Sequence, residues 1–150
     1  MGQKPELANY LILLVEDEYL QASDMAQSIE RAGGRVLGPC PTQAEALARI
    51  EAQMPAAAVL DLHLGDGSSV ELATLLRDQG VPLLVVTGYH RALLPDELAD
   101  VPWIEKPAPT GQIVSCLAAL LKGEPLVGYL ASAPQPRASR SSPRDEATDR

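Results

Sequence analysis

The sequence lacks the features that mark disulfide-rich, membrane-spanning and secreted proteins. It has only two cysteines, Cys40 and Cys116, far apart in the chain, so we expect buried thiols in a reducing compartment and no disulfide. No apolar run approaches the ~18 residues of a membrane span. The opening residues carry neither an apolar signal core nor a myristoylation motif. These absences predict a cytoplasmic protein with no membrane partner.

Basic residues are also scarce. The chain has 12 Lys and Arg against 20 Asp and Glu, a formal net charge of −8. Residues 1–122 carry 8 basic and 16 acidic side chains, and residues 123–150 carry 4 of each, so the first region holds the whole acidic excess. Nucleic-acid binding depends on basic groups that neutralise phosphates. The charge distribution therefore argues against a nucleic-acid partner.

Composition divides the chain into two regions. A length of 150 residues with 46% apolar side chains is enough for one domain with a substantial core. From Gly123 onward Pro, Ser, Ala and Arg dominate, and such a segment buries too little apolar area to offset its ordering entropy. We predict a domain at residues 1–122 and a disordered tail at residues 123–150. The apolar stretch 126–130 is an exception that could dock on the domain or on a partner.

Apolar runs of strand length indicate a parallel β-sheet. Each run is mainly apolar and has the length of a strand buried on both faces, and the stretches between the runs have room for crossover helices. The four main runs cover residues 11–15, 56–60, 81–86 and 101–105, and a shorter one covers residues 36–38. The pattern predicts an α/β fold with a doubly wound parallel sheet of five β/α units.

The helical segments are indicated by their apolar spacing and their terminal residues. The first is expected to place Tyr19 on its apolar face with Ala22, Met25 and Ile29. The third follows two serines, at positions 68 and 69, that can cap it. Pro95 cannot occupy a helix interior, so we expect the fourth helix to be short or irregular.

The main runs end on polar groups that are suited to phosphoryl chemistry. Glu16 and Asp17 follow the first run, and the other runs end at Asp61, Thr87 and Lys106. The carboxyl ends of parallel strands open onto one edge of the sheet, where open α/β folds bind their ligands. We therefore expect three carboxylates, a hydroxyl and an amine to meet in one crevice.

This combination of groups predicts a magnesium-dependent phosphoryl acceptor. Three carboxylates brought within a few ångströms repel one another unless a cation joins them, and hard oxygen ligands suit Mg²⁺. A bound Mg²⁺ polarises a phosphoryl oxygen and makes a neighbouring carboxylate a competent acceptor. Asp61 is the best acceptor because it ends a central strand and precedes the Gly-rich loop 65–67. Lys106 and the Thr87 hydroxyl are expected to bind phosphoryl oxygens.

Together these motifs resemble the receiver domains of two-component response regulators. The resemblance covers about residues 10 to 121. Its motifs, in this order, are Val15-Glu16-Asp17-Glu18, Asp61-Leu62-His63-Leu64 with Gly67, Thr87-Gly88 and Glu105-Lys106-Pro107. The resemblance implies a flavodoxin-like fold with strand order 2-1-3-4-5 and phosphorylation of Asp61 by a sensor histidine kinase.

The resemblance also implies a set of metal ligands. Asp17, Asp61 and the backbone carbonyl of His63 would bind Mg²⁺ directly, and Glu16 would hold it through water. A cis peptide bond would join Lys106 to the proline that follows it.

Two positions depart from the family pattern. Glu16 replaces the commoner aspartate, which adds a methylene group but still permits a water-mediated contact with the metal. Trp103 stands where the usual switch tyrosine or phenylalanine precedes the lysine by three residues. The turn Thr87-Gly88-Tyr89 resembles a subgroup of single-domain receivers in which a different aromatic would act as the switch. The candidate switch aromatics are therefore Trp103 and Tyr89.

Three classes of function fit these residues. The first is a stand-alone receiver, either a switch acting by protein contact or a phosphate sink or shuttle in a phosphorelay, because only 28 residues follow Lys122. The second is an aspartyl-phosphate-forming phosphatase, which usually needs a second carboxylate where this chain has His63. The third is a flavin-binding module, but no Ser, Thr and Gly-rich phosphate loop follows the first strand.

We therefore expect a receiver that is not an enzyme. The expected partners are a sensor histidine kinase or a histidine phosphotransfer protein, together with an unidentified downstream protein. The expected oligomeric state is a monomer or a weak homodimer.

Overall fold

The computed structural model describes residues 5–65, 67–88, 94–124 and 126, and these contain a five-stranded parallel sheet. The strands are β1 (Leu11–Val15), β2 (Arg35–Cys40), β3 (Ala57–Leu60), β4 (His63–Leu64), β5 (Gly67–Ser68), β6 (Leu83–Thr87) and β7 (Trp103–Glu105). The main sheet has the order β2-β1-β3-β6-β7, and β4 and β5 form a separate antiparallel hairpin. Counted without the hairpin, this is the expected order 2-1-3-4-5. The predicted flavodoxin-like fold is thus confirmed.

Four α-helices cover the two faces of the sheet. They are α1 (Tyr19–Arg31), α2 (Gln43–Ala52), α3 (Val70–Asp78) and α4 (Thr110–Lys122). Helices α1 and α4 pack on one face, and α2 and α3 pack on the other. In the described part of the expected fourth helix there is only a short 3₁₀ helix, Asp96–Leu98, which agrees with the effect predicted for Pro95. Residues 89–93 lie outside the described residues.

The central strands are apolar throughout because both of their faces are buried. In β1, Leu11, Leu13 and Val15 contact the core beneath α2 and α3, whereas Ile12 and Leu14 contact the core beneath α1 and α4. Alternate side chains of a strand point to opposite faces, so a strand covered on both sides has no polar positions. This property explains why the strand runs were visible in the sequence.

The two cysteines lie on opposite sides of the sheet. Cys40 packs in the core beneath α2 and α3, and Cys116 packs in the core beneath α1 and α4. Both are free thiols, as expected, and burial raises the pKa of each to about 11.

One helix-face expectation was wrong. Tyr19 was predicted on the buried face of α1, but its side chain is 79% exposed, and the buried residues of this helix are Ala22, Met25 and Ile29. Tyr19 is the first residue of the helix, directly after the loop that leaves the carboxyl end of β1. Its side chain lines a groove beside Glu16 instead of packing on the sheet.

The C-terminal region is described only as far as residue 126. Helix α4 ends at Lys122, and Gly123 follows in the left-handed conformation that commonly ends helices. Residues 127–150 lie outside the described residues, so the proposed boundary after residue 122 and the disordered tail stay predictions. Among the helices that the structure describes, none has the length and apolar character needed to cross a lipid bilayer.

An irregularity in β2 brings its end to the site edge of the sheet. The register of β1 with β2 shifts so that Leu14 faces two residues, Gly38 and Pro39, before Val15 pairs with Cys40. Beyond this shift, the Cys40 carbonyl accepts a hydrogen bond from the N–H of Glu16 at 3.0 Å. The irregularity therefore anchors the first carboxylate-bearing residue after β1.

Gly38→Ala is expected to destabilise the domain. The φ angle of Gly38 is 113°, and a Cβ atom would lie 2.6 Å from the Cys40 nitrogen and 2.9 Å from the Leu14 oxygen. We expect the free energy of unfolding in urea to fall by about 2 kcal/mol or more. Gly111→Ala is the matched control, because its Cβ would meet nothing within 4 Å and an alanine favours the helix by about 0.5 kcal/mol. Equal stabilities of the two variants would contradict this prediction.

Candidate functional site

The predicted site residues lie at the carboxyl edge of the sheet. Glu16 and Asp17 follow β1, Asp61 follows β3, Thr87 ends β6 and Lys106 follows β7. These strands are neighbours and run in parallel, so their ends meet on one side of the domain. Three acidic residues and a lysine are in direct proximity there.

The three carboxylates form a single cluster. Oxygen atoms of Glu16, Asp17 and Asp61 lie within 4.8 Å of one another. Among the described residues this is the only group of three or more acidic, histidine or cysteine side chains with such spacing. Glu16 and Asp61 are buried, with 3% and 8% of their surface exposed, whereas Asp17 is open to solvent. Hard oxygen ligands beside solvent fit Mg²⁺, which keeps several waters when it binds proteins.

Lys106 joins two of the carboxylates. Its Nζ atom lies 2.8 Å from Asp61 Oδ2 and 2.9 Å from Glu16 Oε1. Burial acts to lower the pKa of Lys106, but the hydrogen bonds and negative charges of Asp61 and Glu16 outweigh it and raise this pKa above its ordinary value. The lysine therefore stays charged at neutral pH.

Glu16 is held by contacts on both of its carboxylate oxygens. Oε1 accepts from Lys106, and Oε2 accepts from the N–H of Glu18 at 3.0 Å. The main-chain N–H of Glu16 donates to the Cys40 carbonyl. Both carboxylate oxygens of Glu16 are thus already bonded within the protein. The exposed Asp17 is therefore better placed than Glu16 to bind a metal ion directly.

The loop after Asp61 directs main-chain N–H groups toward the acidic cluster. The N–H of His63 donates to Asp61 Oδ1 at 3.1 Å, and the N–H of Gly65 donates to Asp17 Oδ2 at 2.5 Å. A Cβ atom on Gly65 would lie 2.9 Å from that same oxygen, so the close approach favours glycine. The His63 residue is exposed in strand β4 of the hairpin.

Thr87 and Lys106 are linked through their main chains. The Lys106 N–H donates to the Thr87 carbonyl at 2.9 Å, and Thr87 is fully buried at the end of β6. Gly88 is exposed, and a Cβ atom added to it would meet nothing within 4 Å, which agrees with an accessible site. The peptide bond from Lys106 to Pro107 is cis, as the resemblance implied, and the bond from Gly38 to Pro39 is also cis.

Of the two candidate switch aromatics, the structure describes Trp103 and not Tyr89. Trp103 is buried in the core beneath α2 and α3, with 7% of its surface exposed. Tyr89 lies outside the described residues, so its proposed role stays a prediction.

Sequence reasoning missed one buried polar residue next to the site. Ser69 was expected, with Ser68, to cap α3, but its hydroxyl donates to the main-chain carbonyl of Asp61 at 2.7 Å. Of the two serine hydroxyls, the one on Ser68 bonds the start of the helix, where it accepts from the N–H of Val70 at 3.0 Å. A serine before a helix is usually a cap, so the sequence offered no signal for this contact.

Comparisons with known proteins place the chain among response regulators. No protein-family model matches the chain. It is 32% identical over 124 residues to the photosynthetic apparatus regulatory protein RegA of Cereibacter sphaeroides, a match that covers 79% of this chain and 66% of RegA. It is 36% identical over 89 residues to the phyllosphere-induced regulator PhyR of Methylorubrum extorquens, covering 57% of this chain and 33% of PhyR. The chain thus spans between one third and two thirds of the length of these relatives.

Solved structures show the same fold. SdrG of Sphingomonas melonis is 33% identical, with a TM-score of 0.64, and the match covers 81% of this chain and 99% of that one. A CheY-like receiver domain protein of Methanospirillum hungatei, 24% identical, matches with a TM-score of 0.71 over 77% of this chain and 96% of its own. The strand order, the carboxylate and lysine cluster and these relatives together lead to one conclusion: the chain belongs to the receiver-domain family of response regulators.

Proposed function

We propose that this protein is a stand-alone response regulator that is phosphorylated on Asp61 and signals by contact with a downstream protein. The observation that carries this proposal is the pairing of Lys106 with Asp61 at 2.8 Å beside the carboxylates of Glu16 and Asp17. An ammonium group held against an acceptor carboxylate is placed to bind the phosphoryl group that this carboxylate receives.

The proposed reaction is transfer of a phosphoryl group from a phosphohistidine. A carboxylate oxygen of Asp61 forms a bond to phosphorus as the phosphorus–nitrogen bond breaks, and the imidazole leaves with the electron pair and takes up a proton. Lys106 then pairs with a phosphoryl oxygen, and the Thr87 hydroxyl donates to another. Mg²⁺ held by Asp17, Asp61 and the His63 carbonyl, with Glu16 through water, would neutralise charge on the phosphoryl oxygens.

The proposed partners follow from this chemistry. The phosphoryl donor is a sensor histidine kinase or a histidine phosphotransfer protein in the cytoplasm, and the receiver of the signal is a downstream protein. The match covers 99% of the solved SdrG chain, which supports the proposal that the receiver fold is the signalling unit. We propose that the protein is not an enzyme, because the position that serves a phosphatase as second carboxylate holds the exposed His63.

Asp61→Asn is expected to abolish phosphorylation. Incubation with Mg²⁺ and acetyl phosphate should add one phosphoryl group to the natural protein, and the bond should be stable in acid and labile in base, as for an acyl phosphate. The amide of asparagine is not a competent acceptor. Intact-protein mass spectrometry measures the label, and Asp78→Asn, on the exposed end of α3, is the control. Persistence of the label in Asp61→Asn would contradict the assignment of Asp61 as the phosphoryl acceptor.

The two neighbouring acids are expected to contribute unequally to metal binding. Asp17→Asn should weaken Mg²⁺ binding more than Glu16→Gln, because Asp17 is exposed and Glu16 is already engaged by Lys106 and Glu18. For Glu16→Gln, which removes only a contact made through water, we expect the affinity for Mg²⁺ to fall about tenfold. Titration of the protein with Mg²⁺ measures both, with the exposed Glu51→Gln as a control far from the site. Equal losses would contradict these roles.

Trp103 is expected to report whether phosphorylation operates a switch. It lies three residues before Lys106 on β7, so rearrangement around a bound phosphoryl mimic should alter its emission. Mg²⁺ and beryllofluoride together should change the fluorescence of the natural protein, and the change should vanish in Asp61→Asn. Unchanged emission together with unchanged amide chemical shifts at residues 87–106 would contradict a switch and favour a phosphate sink or shuttle.

A further inference from the structure

A buried serine closes the loop that follows the acceptor carboxylate. Ser69 is fully buried, its hydroxyl donates to the Asp61 carbonyl at 2.7 Å, and its N–H donates to the Leu62 carbonyl at 3.0 Å. Two hydrogen bonds therefore join the ends of the segment 61–69, of which residue 66 lies outside the described residues. We call the described residues of this segment the acceptor loop. Buried hydroxyl groups are nearly always hydrogen-bonded, and this one is bonded to the main chain of the acceptor residue.

The hydroxyl of Ser69 is not used to cap the helix that it precedes. Ser69 occupies the position before the first residue of α3, where a serine side chain usually accepts a helical N–H. Here the N–H of Leu72 donates to Gln43 Oε1 at 2.9 Å, and the N–H of Val70 donates to Ser68 Oγ. Because Gln43 and Ser68 bond the start of α3, the Ser69 hydroxyl is free of that role and serves the acceptor loop.

The acceptor loop orients two carboxylates of the acidic cluster, the buried Asp61 and the exposed Asp17. Its His63 N–H bonds the Asp61 carboxylate, and its Gly65 N–H bonds the Asp17 carboxylate. At the other side, the main-chain N–H of Asp61 donates to the Val15 carbonyl at 3.0 Å. The main chain of Asp61 is thus held from β1 through its N–H and from Ser69 through its carbonyl.

We propose that Ser69 is a positioning residue for phosphoryl transfer, an inference that rests on the proposed role of Asp61 as the acceptor. The hydroxyl fixes the peptide from which the Asp61 side chain projects, and it sets the loop whose N–H groups orient the carboxylates of Asp61 and Asp17. Preset orientation of the reacting group lowers the barrier to transfer. Without the hydroxyl, a buried carbonyl loses its donor and the acceptor loop relaxes.

The test compares Ser69→Ala with Ser68→Ala, which removes a neighbouring hydroxyl that bonds only the start of α3 in the contacts described above. At saturating Mg²⁺ and acetyl phosphate, Ser69→Ala should slow phosphorylation about tenfold, and Ser68→Ala should leave the rate unchanged. Ser69→Cys offers a weaker donor of similar size and should give an intermediate rate. It also serves as the test variant if Ser69→Ala does not fold.

A second measurement separates positioning from general loss of stability. The amide chemical shifts of His63 and Gly65 should change in the Ser69 variants. They should not change in Ile50→Ala, which shortens a buried core side chain of α2. The proposal would be overturned if the Ser69 variants were phosphorylated at the rate of the natural protein, or if their His63 and Gly65 amide chemical shifts did not change. It would also be overturned if Ile50→Ala slowed phosphorylation equally. Failure of the natural protein to be phosphorylated would instead overturn the role of Asp61, and the amide shifts would still decide whether Ser69 holds the loop.

Discussion

The site is organised by the repulsion of three carboxylates that the fold brings to one edge of the sheet. A buried charge is tolerated when it is paired, and the two buried acids, Glu16 and Asp61, share the ammonium group of Lys106 at 2.9 and 2.8 Å. Three carboxylates and one ammonium leave a formal charge of −2. Asp17 exposes this negative charge to solvent, where a hydrated divalent cation can neutralise it at little cost in desolvation.

Main-chain hydrogen bonds hold these charges in place. Glu16 is anchored by the Cys40 carbonyl at the end of an irregular β2, and Asp61 is anchored by the Val15 carbonyl at the end of β1. On the other side, Ser69 holds the Asp61 carbonyl. Sites built on the ends of packed strands are more precise than sites on unsupported loops. The parallel sheet therefore supplies both the convergence of the charges and the rigidity that keeps them apart from one another.

The sequence predicted best those features that depend on burial on two faces. Strand β1 was found at its observed limits because every one of its residues is buried. Strand β2 extends over Arg35–Cys40, beyond the predicted stretch 36–38, because an edge strand containing Gly and Pro loses the continuous apolar pattern. The wrong prediction for Tyr19 has a related cause. Helical periodicity shows which side of a helix is apolar, but it does not show that the first turn of α1 extends beyond the sheet that this side covers.

The sequence by itself determined which chemical groups stand at the strand ends, because a strand and the residue that follows it are adjacent in the chain. Glu16, Asp17, Asp61, Thr87 and Lys106 could therefore be assigned to one edge once the runs were identified as parallel strands. Only the tertiary structure decided the partner of each group. Oε1 of Glu16 meets a lysine 90 residues away, and the Ser69 hydroxyl, which was expected to cap a helix, bonds the main chain of Asp61 instead. Such choices depend on distances between segments that are remote in sequence, and local residue patterns carry no information about those distances.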